Sequence, residues 1–249
     1  MIITQARFGS SRLPGKVLKP IADKTLLGLH LERASQSVFA DMVAVATTHE
    51  EESKHIEKIA TECGAIVHKG DLNDVLDRFY QTALPHEPDY VVRITSDCPL
   101  IDAEIIDDII QVLVSGEYDY VSNVSQPTFP DGMDVEAFTF SALEKAWKEA
   151  DKKSDREHVT PYIRENSDLR GKSMFKGFEV SNPVDLSSLR LTVDEPADYD
   201  LMLKLVERLG HQRTWRDYVI AVLMDPELQK INQSFQRNEG YQKSLSQDD

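Results

Sequence analysis

The sequence predicts an α/β fold with a mostly parallel central sheet, and three observations carry that expectation. Short β-type runs alternate with segments of helical spacing from the first residue to about position 122. The helical segments carry single apolar stripes: Ile56, Ile59, Ala60 and Cys63 fall at i, i+3, i+4 and i+7, and Ile101, Ile105, Ile106, Ile109 and Leu113 align in the same way. The first run, Met1-Ile2-Ile3, passes directly into a basic loop punctuated by Gly9 and Gly15. Open parallel sheets bind ligands beyond the carboxyl ends of their strands, and such a loop is suited to phosphate.

Taken in order, Met1–Thr4, Met42–Ala46, Ala65–His68, Tyr90–Ile94 and Tyr118–Ser122 are expected strands, separated by helices. The rhythm then changes. Gln126 to Met133 is a loop rich in proline and turn formers, followed by an expected strand Asp134–Phe140 and a helix Ser141–Ala150. A helix over Arg156–Glu165 and a strand over Ser173–Val180 come next. The run Leu189–Asp194 is expected as a strand returning to the main sheet, ending at Glu195-Pro196 before another helix. Beyond Gly210, residues Trp215, Tyr218, Val219, Val222 and Leu223 suggest one amphipathic helix and then a polar tail, either disordered or docked on a partner subunit. The expected division is a main domain over 1–210 and a helical extension with tail over 211–249.

Composition narrows the function. A chain of 249 residues with 41% hydrophobic content can bury the core of one enzyme-sized α/β domain. With 28 Lys+Arg against 43 Asp+Glu, the net charge of -15 argues against general nucleic-acid binding and against an anionic membrane surface. Two cysteines, Cys63 and Cys98, without a C-x-x-C pair fit reduced thiols in a cytosolic protein. No secretory h-region and no stretch near the roughly 18 apolar residues of a membrane span is present, so a cytoplasmic protein is expected.

Within that acidic chain, residues 1–22 hold Arg7, Arg12, Lys16 and Lys19 and no carboxylate. Positive φ at glycine and fixed charge from Arg12 and Lys16 would cradle an anion, although neither G-x-x-x-x-G-K-[ST] nor G-x-G-x-x-G occurs. Two further strand ends carry carboxylates, Asp97 in Thr95-Ser96-Asp97-Cys98-Pro99 and Asp194 after Leu189–Val193. Mg²⁺ favours one or two carboxylates together with phosphate oxygens and water, which makes Asp97 and Asp194 the metal-ligand candidates.

Five ordered motifs give these features a family context: Ala6-Arg7 through Arg12-Leu13-Pro14-Gly15-Lys16, Arg93 to Ile101, Pro130 to Glu136, Arg156 to Tyr162 and Leu189 to Asp194. Together with Arg237-Asn238-Glu239-Gly240-Tyr241 in the tail, they resemble the cytidylyltransferases of the spore coat polysaccharide biosynthesis protein F type. These are similar to the synthetases that activate sialic acid and 3-deoxy-manno-octulosonate with CTP. The resemblance implies a three-layer Rossmann-like nucleotide-diphospho-sugar transferase fold, a homodimer, and transfer of CMP from CTP to a sugar with release of pyrophosphate. It also implies that Arg12 and Lys16 hold the triphosphate and, with Asp97, form the catalytic set, while Asp97 and Asp194 bind Mg²⁺. Ala6, Arg7, Gly9, Ser10, Ser11 and Ser96 would complete the nucleotide site. Asp131, Asp134, Glu136, Arg156 and His158 would line the acceptor pocket, with Arg156 facing a negative group on an acidic sugar. Octulosonate synthetases carry a Gln shortly before the metal-binding Asp, where this chain has Thr95-Ser96.

A metal-dependent glycosyltransferase on a similar fold, or a nucleotide-binding protein without turnover, are the rival expectations. Ser96-Asp97-Cys98 is not the D-x-D pair common in the former, and the paired cations and carboxylates argue against the latter. His158 could take a proton from the acceptor or hydrogen-bond the sugar, and is assigned to binding. Cys98 is assigned to packing.

Overall fold

The computed structural model describes residues 1–10, 12–237, 241, 244–246 and 248. Ser11, assigned above to nucleotide binding, lies outside them, as do residues 238–240 of the tail motif.

The chain opens with β1 (Ile2–Gln5), a short hairpin of β2 (Pro20–Ile21) and β3 (Lys24–Thr25), and helix α1 (Leu26–Ala34), which Thr25 caps by accepting from Gly28 N at 3.0 Å. There follow β4 (Val43–Thr48), α2 (Ser53–Glu62), β5 (Ile66–Gly70), α3 (Val75–Ala83), β6 (Tyr90–Thr95), α4 (Ala103–Val114), β7 (Tyr120–Ser122), β8 (Glu136–Thr139) and α5 (Phe140–Glu149). Then come α6 (Lys153–His158), α7 (Pro161–Glu165), β9 (Gly177–Glu179), α8 (Pro196–Leu209), α9 (Trp215–Met224) and α10 (Pro226–Lys230).

Seven strands form one sheet in the order β5-β4-β1-β6-β8-β7-β9. The first four are mutually parallel, β8 runs antiparallel to both of its neighbours, and β9 lies parallel to β7. Alternation along the strands sorts side chains between two covering layers. Ile2, Val92, Val121 and Ala137 join a core with α4, α8 and α9, whereas Ile3, Val91, Tyr120 and Phe138 join one with α3, α5 and Ile163 of α7. The result is the expected three-layer α/β sandwich with a mostly parallel sheet. Helix α9 sends Trp215, Tyr218, Val219 and Val222 into the first of these cores, directly after α8 ends at Gly210. No helix among the described residues is long and apolar enough to cross a membrane.

Two expectations are corrected. Leu189–Asp194 is not a strand of the sheet. Its backbone bonds go to loops, with Asp131 N donating to Leu189 O at 2.9 Å, Leu191 N to Asp131 O at 2.6 Å and Val193 N to Asp97 O at 2.8 Å. The helix expected over Arg156–Glu165 is broken into α6 and α7, because Pro161 starts a new helix and Val159 takes a left-handed φ of 72° in a tight turn closed by Thr160 N donating to His158 O.

Candidate active site

β1 and β6 pair in parallel from Ile2↔Val92 to Gln5↔Thr95, so the segments after Gln5 and after Thr95 emerge side by side. The first runs through Arg7 and Arg12 to Lys16, which starts a 3₁₀ turn immediately after Gly15. Gly15 sits at φ 65°, and a Cβ there would press against the Phe8 ring at 3.1 Å. Gly9, by contrast, does not take the positive φ expected of it. The segment after β6 delivers Asp97, and the bond from Val193 N to Asp97 O draws Asp194 to the same place. That approach needs Gly132, at φ 103°, whose hypothetical Cβ would lie 2.5 Å from the Leu191 carbonyl carbon.

At the meeting point the Lys16 ammonium lies 2.8 Å from Asp97 Oδ2 and 2.8 Å from Asp194 Oδ1. Burial works against its charge, yet the two carboxylates overcome this and raise its pKa. Asp97 is likewise opposed by burial but held well below the usual carboxylate range, chiefly by Lys16. Arg12 adds contacts to Asp194 at 3.0 Å and Glu195 at 3.2 Å. Asp97 and Asp194 fit a hard divalent cation, since two carboxylate oxygens already share one cationic centre and phosphate and water oxygens would complete the shell. Among the described residues no group of three or more acidic, His or Cys side chains is arranged to hold a metal without such help.

A cavity of about 1040 Å³ opens from this point, and every described residue assigned above to the nucleotide, acceptor or metal site lines it. Their surroundings differ. Ser96 donates its hydroxyl to Gln5 O at 2.7 Å, and Ser10 Oγ accepts from Leu13 N at 3.4 Å. Asp131 accepts from Arg190 at 2.8 Å, and Asp134 pairs with Arg237. Burial pushes both of these carboxyls up, only partly offset by their arginines. Glu136 is buried, accepting from Arg93 Nη1 and Tyr120 OH, each at 2.5 Å. Burial would raise its pKa, but Arg93 and Arg164 prevail and lower it. Arg156 is engaged by Asp74, with Nε 3.0 Å from Oδ1 and Nη2 2.5 Å from Oδ2, and donates to Trp147 O. His158 lies beside Arg93 and Arg164 and meets the tail through Ser244.

Among the residues that sequence reasoning missed are Arg190, Asp198, Arg78 and Gln5. Arg190 is buried and bridges Asp131, Asp194 and Asp198, while Asp198 Oδ2 accepts from the backbone N–H groups of Asp194 and Glu195, both at 2.9 Å. The signal for Asp198 was present as a helix-start capping box with Glu195. Arg78 is 1% exposed, donates to Asp71 O and Leu72 O, and has a buried Nε without a hydrogen-bond partner. Gln5 presents a buried Oε1 that is also unpaired. Burial lowers the Arg78 pKa to about 10, with Arg7 adding to the effect.

A phosphate-type loop, paired carboxylates and a large cavity at the carboxyl edge of a parallel sheet define a nucleotidyltransferase. Residues 1–223 match the cytidylyltransferase family model. The chain belongs to the cytidylyltransferase family. It is 40% identical to the uncharacterized protein MJ1063 of Methanocaldococcus jannaschii, over 92% of this chain and 93% of that one. It is 31% identical to the spore coat polysaccharide biosynthesis protein SpsF of Bacillus subtilis, over 85% and 88%. A cytidylyltransferase structure from Leptospira borgpetersenii superposes with a TM-score of 0.85 at 37% identity, covering 91% of this chain and 94% of its own.

Proposed function

We propose that the protein transfers CMP from CTP to an acidic sugar and releases pyrophosphate, with Mg²⁺ held by Asp97 and Asp194. The observation that carries this reading is the Lys16 ammonium bridging those two carboxylates beside the basic loop. In it, the acceptor oxygen attacks the α-phosphorus in line, a P–O bond to the sugar forms, and the bond to pyrophosphate breaks. Lys16 and Arg12 turn from the carboxylates toward the triphosphate and take up the charge of the departing pyrophosphate. Bound Mg²⁺ supplies Lewis-acid polarisation of phosphate oxygens. Cys98 is no nucleophile, because burial pushes its thiol well above the usual range and Asp97 adds to that.

Choice of CTP over UTP is supported by the base side of the cavity. The unpaired Gln5 Oε1 suits the cytosine amine, and the unpaired Arg78 Nε suits a cytosine acceptor, whereas uracil presents a carbonyl in place of the amine. At the other end, Arg93 pairs with Glu136 and Arg164 with Glu165, while the buried Arg93 Nε keeps a donor without a hydrogen-bond partner, which supports a negative group on the acceptor. The charge of Arg156 is already met by Asp74. The exposed apolar side chains Ile220, Leu223 and Met224 of α9 offer a face for the expected homodimer. Pyrophosphate release from each of four nucleoside triphosphates, with a panel of sugar acids and neutral sugars, tests the proposal. CTP with a sugar acid is the expected productive pair; preference for UTP or a purine nucleotide would overturn it.

A further inference from the structure

The tail motif beginning at Arg237 has no part in the reaction above, yet its described residues cross one end of the cavity. Arg237 donates to Phe129 O at 3.0 Å and pairs with Asp134. Tyr241 OH accepts from Arg164 at 3.1 Å, and its ring meets the His158 ring edge-on with centroids 5.0 Å apart. Ser244 Oγ lies 2.7 Å from Glu157 Oε2 and 3.0 Å from His158 Nε2. Asp248 accepts from Ser154 N at 2.9 Å and pairs with its hydroxyl. The described tail is therefore tied on both sides of the pocket, and Tyr241 and Ser244 line it.

The hydrogen-bond directions at Ser244 are constrained. A carboxylate only accepts, so the Ser244 hydroxyl donates to Glu157, and its oxygen receives the proton of His158 Nε2. In the neutral ring this places the proton on Nε2 and the lone pair on Nδ1. The charged groups facing the ring are Arg93 and Arg164 on one side of the balance and Glu136 and Glu157 on the other, and burial, the largest influence, pushes the pKa down to about 4.

We propose that Tyr241 and Ser244 are part of the acceptor site: they wall it and fix the His158 ring, with Nε2 donating to Ser244 and Nδ1 turned to accept from a sugar hydroxyl. The acceptor half of this inference rests on the function proposed above. Ser244 and Tyr241 are positioning residues, acting through His158.

The test compares the full chain with a chain ended after Arg237, which keeps the Asp134 pair, and with Ser244→Ala and Ser244→Thr. The His158 titration is followed by NMR, CTP affinity by calorimetry, and KM for the sugar acid selected by the pyrophosphate-release panel. Ending the chain is expected to raise the His158 midpoint by at least about one unit toward 6.5, since burial is relieved. Sugar KM should rise about tenfold or more while CTP affinity stays within about twofold. Ser244→Ala, which removes the acceptor of the Nε2 proton without opening the pocket, should raise sugar KM and shift the neutral ring toward the Nδ1–H tautomer, read from its nitrogen shifts, and Ser244→Thr, which keeps the hydroxyl, should restore both. An unmoved His158 midpoint, or CTP affinity falling in step with sugar binding, would overturn the inference. A full chain that bound no CTP would overturn the nucleotidyltransfer reading instead, and the titration would still decide whether the tail holds His158.

Discussion

Replacing Lys16 by methionine removes the charge that Asp97 and Asp194 share while keeping an unbranched side chain only one atom shorter. Each acceptor oxygen lies 2.8 Å from the same nitrogen, so the two are at most about 5.6 Å apart. At an effective dielectric constant of about 20, their repulsion without the ammonium is about 3 kcal/mol. Arg12 and Arg190 remain on Asp194 and screen part of it, leaving about 2 kcal/mol. Lys16→Met is therefore expected to destabilise the ligand-free protein by about that amount in metal-free urea denaturation. The same energy then favours a replacement cation, so Mg²⁺ should bind the nucleotide-free variant roughly thirtyfold more tightly than the wild type. Affinity for CTP should fall at the same time, because the phosphates lose a charged contact. Calorimetric titration with Mg²⁺ alone and with CTP alone separates the two effects. Mg²⁺ affinity equal to or weaker than that of the wild type would show that Lys16 does not occupy the cation site, and the reasoning would fail.

Asp97→Asn and Asp194→Asn are each expected to lower turnover by about a hundredfold while the fold survives, as read from pyrophosphate release and circular dichroism; wild-type turnover and Mg²⁺ response would remove that residue from the site. Gln5→Leu should reduce the CTP-over-UTP ratio of kcat/KM about tenfold, and an unchanged ratio would place the cytosine amine elsewhere. His30 donates from Nδ1 to Cys98 O at 2.9 Å and accepts at Nε2 from Thr4 Oγ1 at 3.1 Å, and burial lowers its pKa to about 4. The unfolded chain protonates near 6.5 and the folded chain near 4, so stability is full above the first value and falls as pH drops toward the second, by up to about 1.4 kcal/mol per pH unit. In urea denaturation between pH 7.5 and 4.5 the wild type should lose stability more steeply than His30→Gln, the difference between the two approaching that slope, while His158 and the buried carboxyls titrate in both.

The parallel half of the sheet was legible in the sequence because its strands are consecutive buried runs, and their carboxyl ends located the basic loop and Asp97 without knowledge of any partner. The insertion of β8 between β6 and β7 was not legible, since it depends on which sheet edge the chain meets after its proline-rich loop. Leu189–Asp194 has a strand's composition, but its hydrogen bonds are decided by the distant Asp131 and Asp97. Arg156 lines the cavity but is engaged by Asp74, which is 82 residues away, and nothing local announces the pair. Arg78 gave even less signal, being one arginine on the buried face of a short helix.

The contacts that define the site span 81 residues from Lys16 to Asp97 and 178 from Lys16 to Asp194. During synthesis, β1, β4, β5 and β6 can pair and bury their apolar faces before the segment around Asp194 exists. A nascent chain at that stage has a sheet and a basic loop but only half of the carboxylate pair. A nucleotide–metal ligand that needs both therefore has little affinity for the unfinished molecule and stabilises the finished one by mass action. Its binding fastens the first loop of the chain to one of the last, so separating either from the sheet means giving up the ligand as well.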